Sequence, residues 1–318
     1  MVICVGEILA DMFGKPAEDG TVAFSRHAGG APFNVACGVR ASGGSGGFIG
    51  RVGDDITGRF LIGFAQKQGL DFLKIEKDPD HNTTLAFVEL DENGERSFCF
   101  ARKFAADYRI ADPFDKSLSG ADIVHIGSLM LSEPIGRKTW ERAFAAAKRA
   151  GKKVSFDVNF RSDLFGCDEK TRELFLSCIE RADIVKVSEE ELCFLCRTER
   201  TDTQTWYAEP LLRLCGKDKI VALTLGAEGC AVCCGREICR VNAKKVAPVD
   251  TTGAGDSFYA AFLSGLDRRG CTPSAAAESA KEANVAAAYT VAQYGAIVPL
   301  PDRETIEREA AALSAVRI

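Results

Sequence analysis

The sequence predicts an α/β protein with a mostly parallel central sheet, helices on both faces of that sheet and a small additional β layer. Short runs of β-branched residues alternate with amphipathic stretches of about ten to twenty residues, a length typical of helices. Strands separated by helices favour parallel pairing, which buries each strand on both faces. Two other segments alternate strictly around a turn, and they predict the β layer.

The core strands are short apolar runs separated by stretches long enough to form helices. The predicted strands span residues 2–5, 48–52, 123–126, 154–158, 184–187 and 220–225. The predicted helices include residues 55–68, 136–150, 169–182, 253–266 and 273–291. This order of elements is typical of an open sheet with helices on both faces.

The β layer is predicted from three segments near the N-terminal third of the chain. Residues 84–89 and 95–101 flank the turn Asp91-Glu92-Asn93-Gly94, and residues 21–28 form a third alternating piece. A small layer of this kind, attached to a large core, can cover a cleft as a lid. Residues 229–241 predict a further hairpin at the opposite end of the large sheet.

Charge and hydropathy exclude several classes of partner. The chain of 318 residues has 40 Lys and Arg against 45 Asp and Glu, a net charge of −5, and no long basic run. A general nucleic-acid binder is therefore disfavoured, and any anion must be bound locally. The apolar start contains Glu7 and Asp11, and residues 285–301 are interrupted by Gly295 and Pro299. Neither segment predicts a signal peptide or a membrane span, so we expect a cytoplasmic protein with no membrane partner.

The chain contains 13 cysteines, an odd number that favours reduced thiols over a disulfide framework. Two Cys-x-x-Cys pairs, Cys193/Cys196 and Cys230/Cys233, would allow a zinc site if both pairs converged. The alternative is that the first pair lies on a helix, while Cys230 alternates with Val232 along a strand. We favour this second interpretation, in which the thiols are small apolar core residues.

The segment VDTTGAGDSF at 249–258 carries the strongest chemical signal. It follows a strand-like run and opens a long apolar helix, so the backbone N–H groups of Gly253, Ala254 and Gly255 would meet a positive helix end. Such a junction binds anions, and the glycines allow the backbone to approach a phosphate closely. Asp256 would lie at the edge of this anion site and could accept a proton from an attacking hydroxyl group.

Two structural alternatives remain open at this segment. An acidic residue in the first turn of a helix often serves only to cap N–H groups, and the glycines could form a plain tight turn. The segment lacks the Lys-Ser/Thr ending of a Walker loop. The VGEI run after the first strand also lacks the glycine spacing of a dinucleotide fold.

Two motifs together resemble the PfkB-type carbohydrate kinases, the family of ribokinase and fructokinase. VDTTGAGDSF at 249–258 is similar to the C-terminal signature of that family, and GGAPFNVA at 29–36 followed by GRVGDD at 50–55 is similar to its N-terminal one. The resemblance covers nearly the whole chain. It implies one ribokinase-like domain over residues 1–318, with a lid formed by about 11–30 and 84–104.

The resemblance assigns catalytic and sugar-binding residues. Asp256 matches the base that deprotonates the sugar hydroxyl, and the amides of Gly253, Ala254 and Gly255 match the anion hole for the transferred phosphoryl group. Asp11 matches an acidic residue that accepts hydrogen bonds from the sugar. The remaining residues implied to contact the sugar or its phosphate are Gly30, Asn34, the lid residues Phe98, Phe100 and Arg102, and Arg161 of a DVNFR segment. The three lid residues are two positions apart on the second strand of the predicted hairpin, so we expect them to share one face.

The resemblance also implies an ATP site and two ion sites. The residues that match the nucleotide side are Lys186, Thr224, Gly226, Gly229 and Asn284. Mg²⁺ would be held mainly by ATP phosphates and water, with Glu191 acting through water. Ser188 stands where many members carry Asn, which alters this network. Residues around a monovalent cation site, which would take K⁺, are matched by Asp250, Thr252 and Gly295.

The expected activity is transfer of the γ-phosphoryl group of ATP to a sugar hydroxyl. The runs GEILAD at 6–11, GGAPFNVA and KVSEEEL at 186–192 look more like fructokinases than ribokinases, so fructose is the first expected substrate. The alternatives are 2-keto-3-deoxygluconate, ribose and nucleosides, or a catalytically silent sugar sensor. Exposed strand edges of the lid also suggest a homodimer.

Overall fold

The computed structural model describes residues 1–16, 19–90, 96–203 and 205–318. Within them, fourteen strands form two sheets. The strands are β1 (Val2–Val5), β2 (Leu9–Pro16), β3 (Val22–Gly29), β4 (Gly46–Gly53), β5 (Phe72–Asp78), β6 (Leu85–Leu90), β7 (Arg96–Ala101), β8 (Ile123–Ile126), β9 (Lys153–Asp157), β10 (Ile184–Ser188), β11 (Ile220–Thr224), β12 (Cys230–Cys234), β13 (Glu237–Val241) and β14 (Ala315–Arg317). The α-helices are α1 (Ala31–Ala41), α2 (Ile56–Ala65), α3 (Pro134–Arg149), α4 (Ser162–Phe165), α5 (Glu169–Arg181), α6 (Glu189–Cys196), α7 (Ala208–Cys215), α8 (Ala254–Arg269), α9 (Pro273–Val291) and α10 (Arg303–Ala311).

The large sheet has the strand order β14-β13-β12-β11-β10-β9-β8-β1-β4-β5. The strands from β11 to β5 in this order are parallel, and β12, β13 and β14 extend the sheet in antiparallel fashion at one edge. From β1 the chain builds outward first to β4 and β5, and later to β8 and its neighbours. This reversal of direction opens a crevice at the carboxyl ends of β1 and β8, the usual ligand site of an open α/β sheet.

Strand β1 contributes to both hydrophobic cores because its side chains alternate between the two faces of the sheet. Ile3 and Val5 pack in a core that contains Trp140 of α3, while Cys4 packs in the opposite core with Phe258 of α8. All residues of β1 are buried. The predicted α/β architecture with helices on both faces is therefore confirmed, and it places the first turn of α8 close to the central strands.

The small sheet has the order β3-β2-β6-β7, and it confirms the predicted β layer. Strand β2 pairs in parallel with β6 and antiparallel with β3, while β6 and β7 form the predicted hairpin. Strand β2 itself was not predicted, because the run LADMFGKP has no regular alternation of apolar and polar residues. Only three residues, 6–8, separate it from the end of β1, so the chain passes directly from the large sheet into the small one. We call this small sheet the lid sheet.

The Cys-x-x-Cys pairs lie where the favoured interpretation placed them. Cys193 and Cys196 are on α6, and Cys230 and Cys233 are buried on β12. All of these thiols are free. In the described parts of the chain, no helix combines the length and apolar character needed to cross a bilayer.

Candidate active site

A cleft of about 670 Å³ lies between the carboxyl ends of the parallel strands, the first turn of α8 and the lid sheet. It is lined by Glu7, Leu9, Asp11, Gly30, Ala31, Asn34, Phe100, Leu129, Asn159, Arg161, Lys186, Thr251, Thr252, Gly253, Gly255, Asp256 and Ala296. Most residues predicted for catalysis and sugar binding are therefore brought to one cavity from distant parts of the sequence.

The N-terminus of α8 presents backbone to this cleft. Gly253 is the N-cap residue, with φ of 72° in the left-handed region, and no side chain caps the helix there. A Cβ atom at Gly253 would lie 2.6 Å from the Cα atom of Ala296, so only glycine fits. The Ala254 amide donates to the Thr251 carbonyl oxygen over 3.3 Å and helps to close the preceding turn. The first N–H groups of the helix have no intrahelical partners, and their positive end faces the cleft.

Asp256 lies in the first turn of α8 with its carboxylate beside the cleft. Its Oδ2 atom accepts a hydrogen bond of 2.8 Å from the side-chain amide of Asn34 on α1. Burial raises the pKa of the Asp256 carboxyl to about 6, and the charge of Asp157 adds to that effect, while Asn34, Lys186 and Arg161 oppose it. A carboxylate with this pKa is ionised at neutral pH and is still basic enough to accept a proton.

Lys186 is buried beneath the first turn of α8. Its Nζ atom contacts both carboxylate oxygens of Asp157, at 2.8 and 2.9 Å. Burial lowers the pKa of Lys186, but Asp157, Glu191 and Asp256 raise it by more, so the ammonium group remains charged. A Cβ atom at Gly255 would be 3.4 Å from this Nζ atom. The charge of Lys186 therefore adds to the positive field of the helix terminus.

Glu191 and Ser188 form a capping box at the start of α6. The Ser188 hydroxyl accepts from the Glu191 amide over 3.2 Å, and Glu191 Oε2 accepts from the Ser188 amide over 2.7 Å. Glu191 Oε1 accepts from the Phe160 amide over 2.7 Å, which fixes the loop after β9. Both oxygens thus accept from backbone donors, so Glu191 fixes the start of α6 and the loop after β9. The described residues contain no cluster of three or more carboxylate, thiol or imidazole groups able to hold a metal.

The double-glycine motif shapes the part of the cleft that contains the predicted sugar-binding residues Asp11 and Asn34. A Cβ atom at Gly29 would collide with Oδ2 of Asp11, and one at Gly30 would lie 2.6 Å from the Glu7 carbonyl oxygen. These glycines let the end of β3 approach Asp11 and the loop after β1 closely. The Oδ1 atom of the buried Asn34 side chain has no hydrogen-bond partner among the described residues. This oxygen and the Asp11 carboxylate can accept hydrogen bonds from a polyol.

Replacement of Gly29 by Ala is expected to raise KM for the sugar by about tenfold or more, because the new methyl group displaces the Asp11 carboxylate. The matched control is Gly63→Ala in α2, where the added methyl group meets no atom within 4 Å. That control should leave KM unchanged. Steady-state kinetics on both variants provides the measurement, and equal KM values in the two would contradict this role for the glycine.

The three predicted lid residues do not share one environment. Phe100 on β7 lines the cleft, whereas the Phe98 side chain lies outside the described part of the structure. The expectation that Arg102 shares this strand face is corrected, because β7 ends at Ala101 and the Arg102 side chain is buried. Its guanidinium pairs with Asp107 and donates to the Leu129 carbonyl oxygen.

Arg161 follows β9 at the rim of the cleft. It lines the cavity, and its Nη1 atom donates to the Phe160 carbonyl oxygen over 3.3 Å. Asn159, two residues earlier, has φ of 37°, an uncommon conformation for a residue with a side chain. The loop that carries both residues is therefore held in a specific shape above β9, with Arg161 available to an anion in the cleft.

Of the residues predicted for the nucleotide side, Lys186 lines the cleft, whereas Thr224, Gly226, Gly229 and Asn284 are not part of its lining. Thr224 ends β11, and Gly226 and Gly229 both have positive φ in the turn that follows. A Cβ atom at Gly229 would collide with the Val241 carbonyl oxygen. The buried Asn284 amide donates to that same carbonyl over 3.4 Å and to the Asn242 carbonyl over 3.3 Å. The glycine turn and Asn284 thus meet at the end of β13.

The three residues predicted for a monovalent cation are brought together. The Oδ1 atom of Asp250 accepts from the Thr252 amide over 2.8 Å, and its Oδ2 atom accepts from the Gly295 amide over 2.9 Å. The buried Thr252 hydroxyl has no hydrogen-bond partner among the described residues. A carboxylate with a nearby unpartnered hydroxyl oxygen fits a hard cation such as K⁺.

Several cleft residues were not predicted as site residues. Glu7 and Leu9 follow β1, Leu129 follows β8, and Thr251 and Ala296 flank the α8 terminus. Glu7 has a recognisable signal, since a carboxylate placed directly after a buried parallel strand points to the carboxyl edge of the sheet. The others are small or apolar, and only the packing of the loops brings them to the cleft.

A helix N-terminus without a side-chain cap beside a buried carboxylate, at the crevice of a ribokinase-like α/β fold with a small β sheet, is typical of small-molecule phosphotransferases. The model of the pfkB family carbohydrate kinases matches residues 1–303. The chain belongs to this family and is a sugar kinase.

Named relatives agree with this assignment. The chain is 35% identical to probable fructokinase-7 of Arabidopsis thaliana, over 96% of this chain and 91% of that protein. Its structure resembles fructokinase from Xylella fastidiosa with bound ATP, with a TM-score of 0.84, 30% identity and 98% coverage of both chains. It also resembles fructokinase from Vibrio cholerae O395 bound to fructose, ADP and calcium, with a TM-score of 0.82, 30% identity and coverage of 97% of this chain and 98% of that one.

Proposed function

We propose that this chain is an ATP-dependent fructokinase, which transfers the γ-phosphoryl group of ATP to a hydroxyl group of fructose. The observation that carries the proposal is the position of Asp256, a buried carboxylate that borders the cleft in the same helical turn as the anion-binding amides. The similarity to fructokinases over nearly the whole chain supports fructose as the acceptor.

In the proposed mechanism, Asp256 accepts the proton of the attacking sugar hydroxyl. Asn34 holds the carboxylate in place through its amide hydrogen bond. The amides at the start of α8 stabilise the negative charge on the transferred phosphoryl group, and the ammonium group of Lys186 below them strengthens that field. Arg161 at the rim is placed to hold an outer phosphate oxygen. Positioning and electrostatics of this kind account for most of the catalysis in phosphoryl transfer.

The proposal includes Mg²⁺ and a monovalent cation. Mg²⁺ neutralises charge on the ATP phosphates when it is bound. Glu191 is proposed to orient water toward it while holding the loop after β9. A K⁺ ion at Asp250, Thr252 and Gly295 would sit beside the turn that precedes α8 and would stabilise the shape of that turn. The nucleotide base is proposed to lie near Asn284, Thr224 and the turn from Gly226 to Gly229.

The charges in the cleft favour a neutral sugar over a sugar acid. Glu7, Asp11 and Asp256 all line the cavity, and Asp11 and Asp256 place carboxylates where the sugar is proposed to bind. An anionic substrate such as 2-keto-3-deoxygluconate would be repelled by the carboxylates of Asp11 and Asp256. Fructose, which carries only hydroxyl and ring oxygen atoms, matches the mixture of acceptors and donors.

A coupled assay of ATP consumption with a panel of sugars tests the proposed function. We expect kcat/KM for fructose to exceed the values for ribose, a nucleoside and 2-keto-3-deoxygluconate by at least about tenfold, because hydrogen-bonded pockets discriminate strongly among polar substrates. Turnover of ribose without turnover of fructose would reject the proposed substrate but retain the kinase. No transfer to any sugar would favour the silent sensor.

The proposal also covers the oligomeric state of the enzyme and its cellular compartment. Strand β3 is an edge strand of the lid sheet, and its Val22 and Phe24 side chains are 53% and 49% exposed. Apolar side chains at an unpaired strand edge support a homodimer formed through the lid sheet. The free thiols support a reducing, cytoplasmic compartment.

A further inference from the structure

Glu7 is a buried carboxyl group in the wall of the cleft that the mechanism above does not use. It follows β1 directly, is only 2% exposed and lines the same cavity as Asp11, Asn34 and Asp256. Its Oε2 atom has no hydrogen-bond partner among the described residues. A Cβ atom at Gly127 would lie 3.1 Å from this oxygen, so Oε2 sits between the ends of β1 and β8.

A buried polar atom without a partner is costly unless a ligand satisfies it. The Arg102 guanidinium attracts the Glu7 carboxylate but only partly offsets the cost of its burial, because it also pairs with Asp107 and donates to the Leu129 carbonyl oxygen. An ionised Glu7 would therefore be a buried, incompletely compensated charge. Glu7 lines the cavity proposed to hold a polyol, so a bound sugar is the partner that could satisfy this buried atom.

The charged groups that act on Glu7 come from three parts of the fold. Burial raises the pKa of the Glu7 carboxyl to about 8, with Arg102 opposing the shift and Asp107 and Asp256 adding to it. At neutral pH the group is therefore mostly a carboxylic acid, which can donate one hydrogen bond. Asp11, Asn34 Oδ1 and Asp256 are acceptors in the same cavity, so Glu7 supplies a donor that these groups do not.

We propose that Glu7 is a sugar-binding residue whose protonated carboxyl group donates a hydrogen bond from Oε2 to an oxygen atom of the sugar. This inference rests on the proposed sugar kinase function and adds a specificity element to it. The donor favours a sugar that presents a hydroxyl or ring oxygen at this point. Ionisation of Glu7 removes the donor and sets a negative charge against the sugar oxygen, so sugar affinity falls as the pH rises.

Calorimetric titration with fructose between pH 6.5 and 9.5, without nucleotide, tests the proposal on the wild type and on Glu7→Gln. The wild-type Kd is expected to increase about tenfold from pH 7 to pH 9, because the competent protonated fraction falls by that factor around a pKa of about 8. Glu7→Gln keeps a donor and cannot ionise, so its Kd should stay within about threefold of the wild-type value at pH 7 and lose most of the pH dependence. The matched control is Glu180→Gln on the exposed side of α5, which should follow the wild type.

Three results would overturn the proposal. Parallel pH curves for the wild type and Glu7→Gln would show that Glu7 does not control sugar binding. A wild-type Kd that decreases with pH, together with a large loss of affinity in Glu7→Gln, would mean that an ionised Glu7 accepts hydrogen bonds. Thermal unfolding that changes with pH in the wild type only, while the two Kd curves coincide, would assign Glu7 a purely structural role.

The sugar panel separates failure of this inference from failure of the proposed function. If another sugar replaces fructose as the preferred substrate, that sugar becomes the probe in the same titrations. Wild-type turnover with coincident Kd curves rejects Glu7 alone. A wild type that binds and phosphorylates no sugar at any pH rejects the kinase function and this inference together.

Discussion

Replacement of Asp256 by Asn is expected to lower kcat by roughly a thousandfold, because the variant lacks the group that accepts the proton of the sugar hydroxyl. The side-chain shape is retained, so the hydrogen-bonding position beside Asn34 can still be filled. Burial of a neutral amide is also less costly than burial of a carboxylate. The variant should therefore fold and bind ATP, and single-turnover kinetics with calorimetry of ATP binding provides the measurement.

A matched variant separates catalysis from helix capping. Asp168 caps the start of α5 by accepting from the Thr171 amide over 2.8 Å, and it lies outside the cleft. Asp168→Asn should change stability only slightly, because Asn is also a good N-cap residue, and should leave kcat unchanged. If Asp256→Asn keeps activity within tenfold of the wild type, Asp256 is only a cap of α8.

The pH profile gives a second readout of Asp256. Its carboxyl must be ionised to act as the base, and its pKa is raised to about 6. The wild-type kcat should therefore rise with pH up to about 6 and then level off, falling about tenfold per unit below that point. This acid limb lies well below the pH range in which Glu7 is expected to weaken sugar binding.

Replacement of Lys186 by Met is expected to lower the free energy of unfolding by about 3–5 kcal/mol, because it leaves the buried Asp157 carboxylate without its cation. It also removes the ammonium group beneath the α8 terminus, so the transferred phosphoryl group loses part of its electrostatic stabilisation. Chemical denaturation and kcat together measure the two effects.

The double variant Lys186→Met with Asp157→Leu distinguishes stability from catalysis. Replacing both members of a buried ion pair with apolar residues is often neutral for stability, so the double variant should recover most of the lost unfolding free energy. Its kcat should remain low, since the positive charge is still missing. Recovery of activity in parallel with stability would contradict the electrostatic role of Lys186.

The sequence was sufficient to predict the central sheet but not the complete lid sheet. Buried parallel strands are continuous apolar runs, and the predicted segments at 2–5, 123–126 and 184–187 fall on β1, β8 and β10. Strand β2 was not predicted because its side chains face different surroundings along its length, so its apolar and polar residues do not alternate regularly. Its pairing with β3 and β6 is decided by tertiary contacts.

The sequence likewise predicted some residues of the candidate site correctly and misjudged the surroundings of another. Asp256, Asn34 and Asp11 belong to motifs with recognisable spacing, and the structure brings them to one cavity. The strand period suggested that Arg102 shares a face with Phe100, but β7 ends before it and a buried ion pair with Asp107 governs the side chain. The pairing of Arg102 with Asp107 depends on the turn that follows β7. The alternation of residues along the strand does not predict that turn.

Strand β2 has a mechanical consequence for substrate recognition. It starts next to the central strand β1 and continues as an inner strand of the lid sheet, so the Asp11 carboxylate belongs to the lid sheet rather than to the large sheet. Any hinge displacement of that sheet carries Asp11 with it, while Asp256 stays with the rigid core. The contact of Asp11 with the sugar and the alignment of the reacting hydroxyl with Asp256 would therefore both depend on the angle between the two sheets.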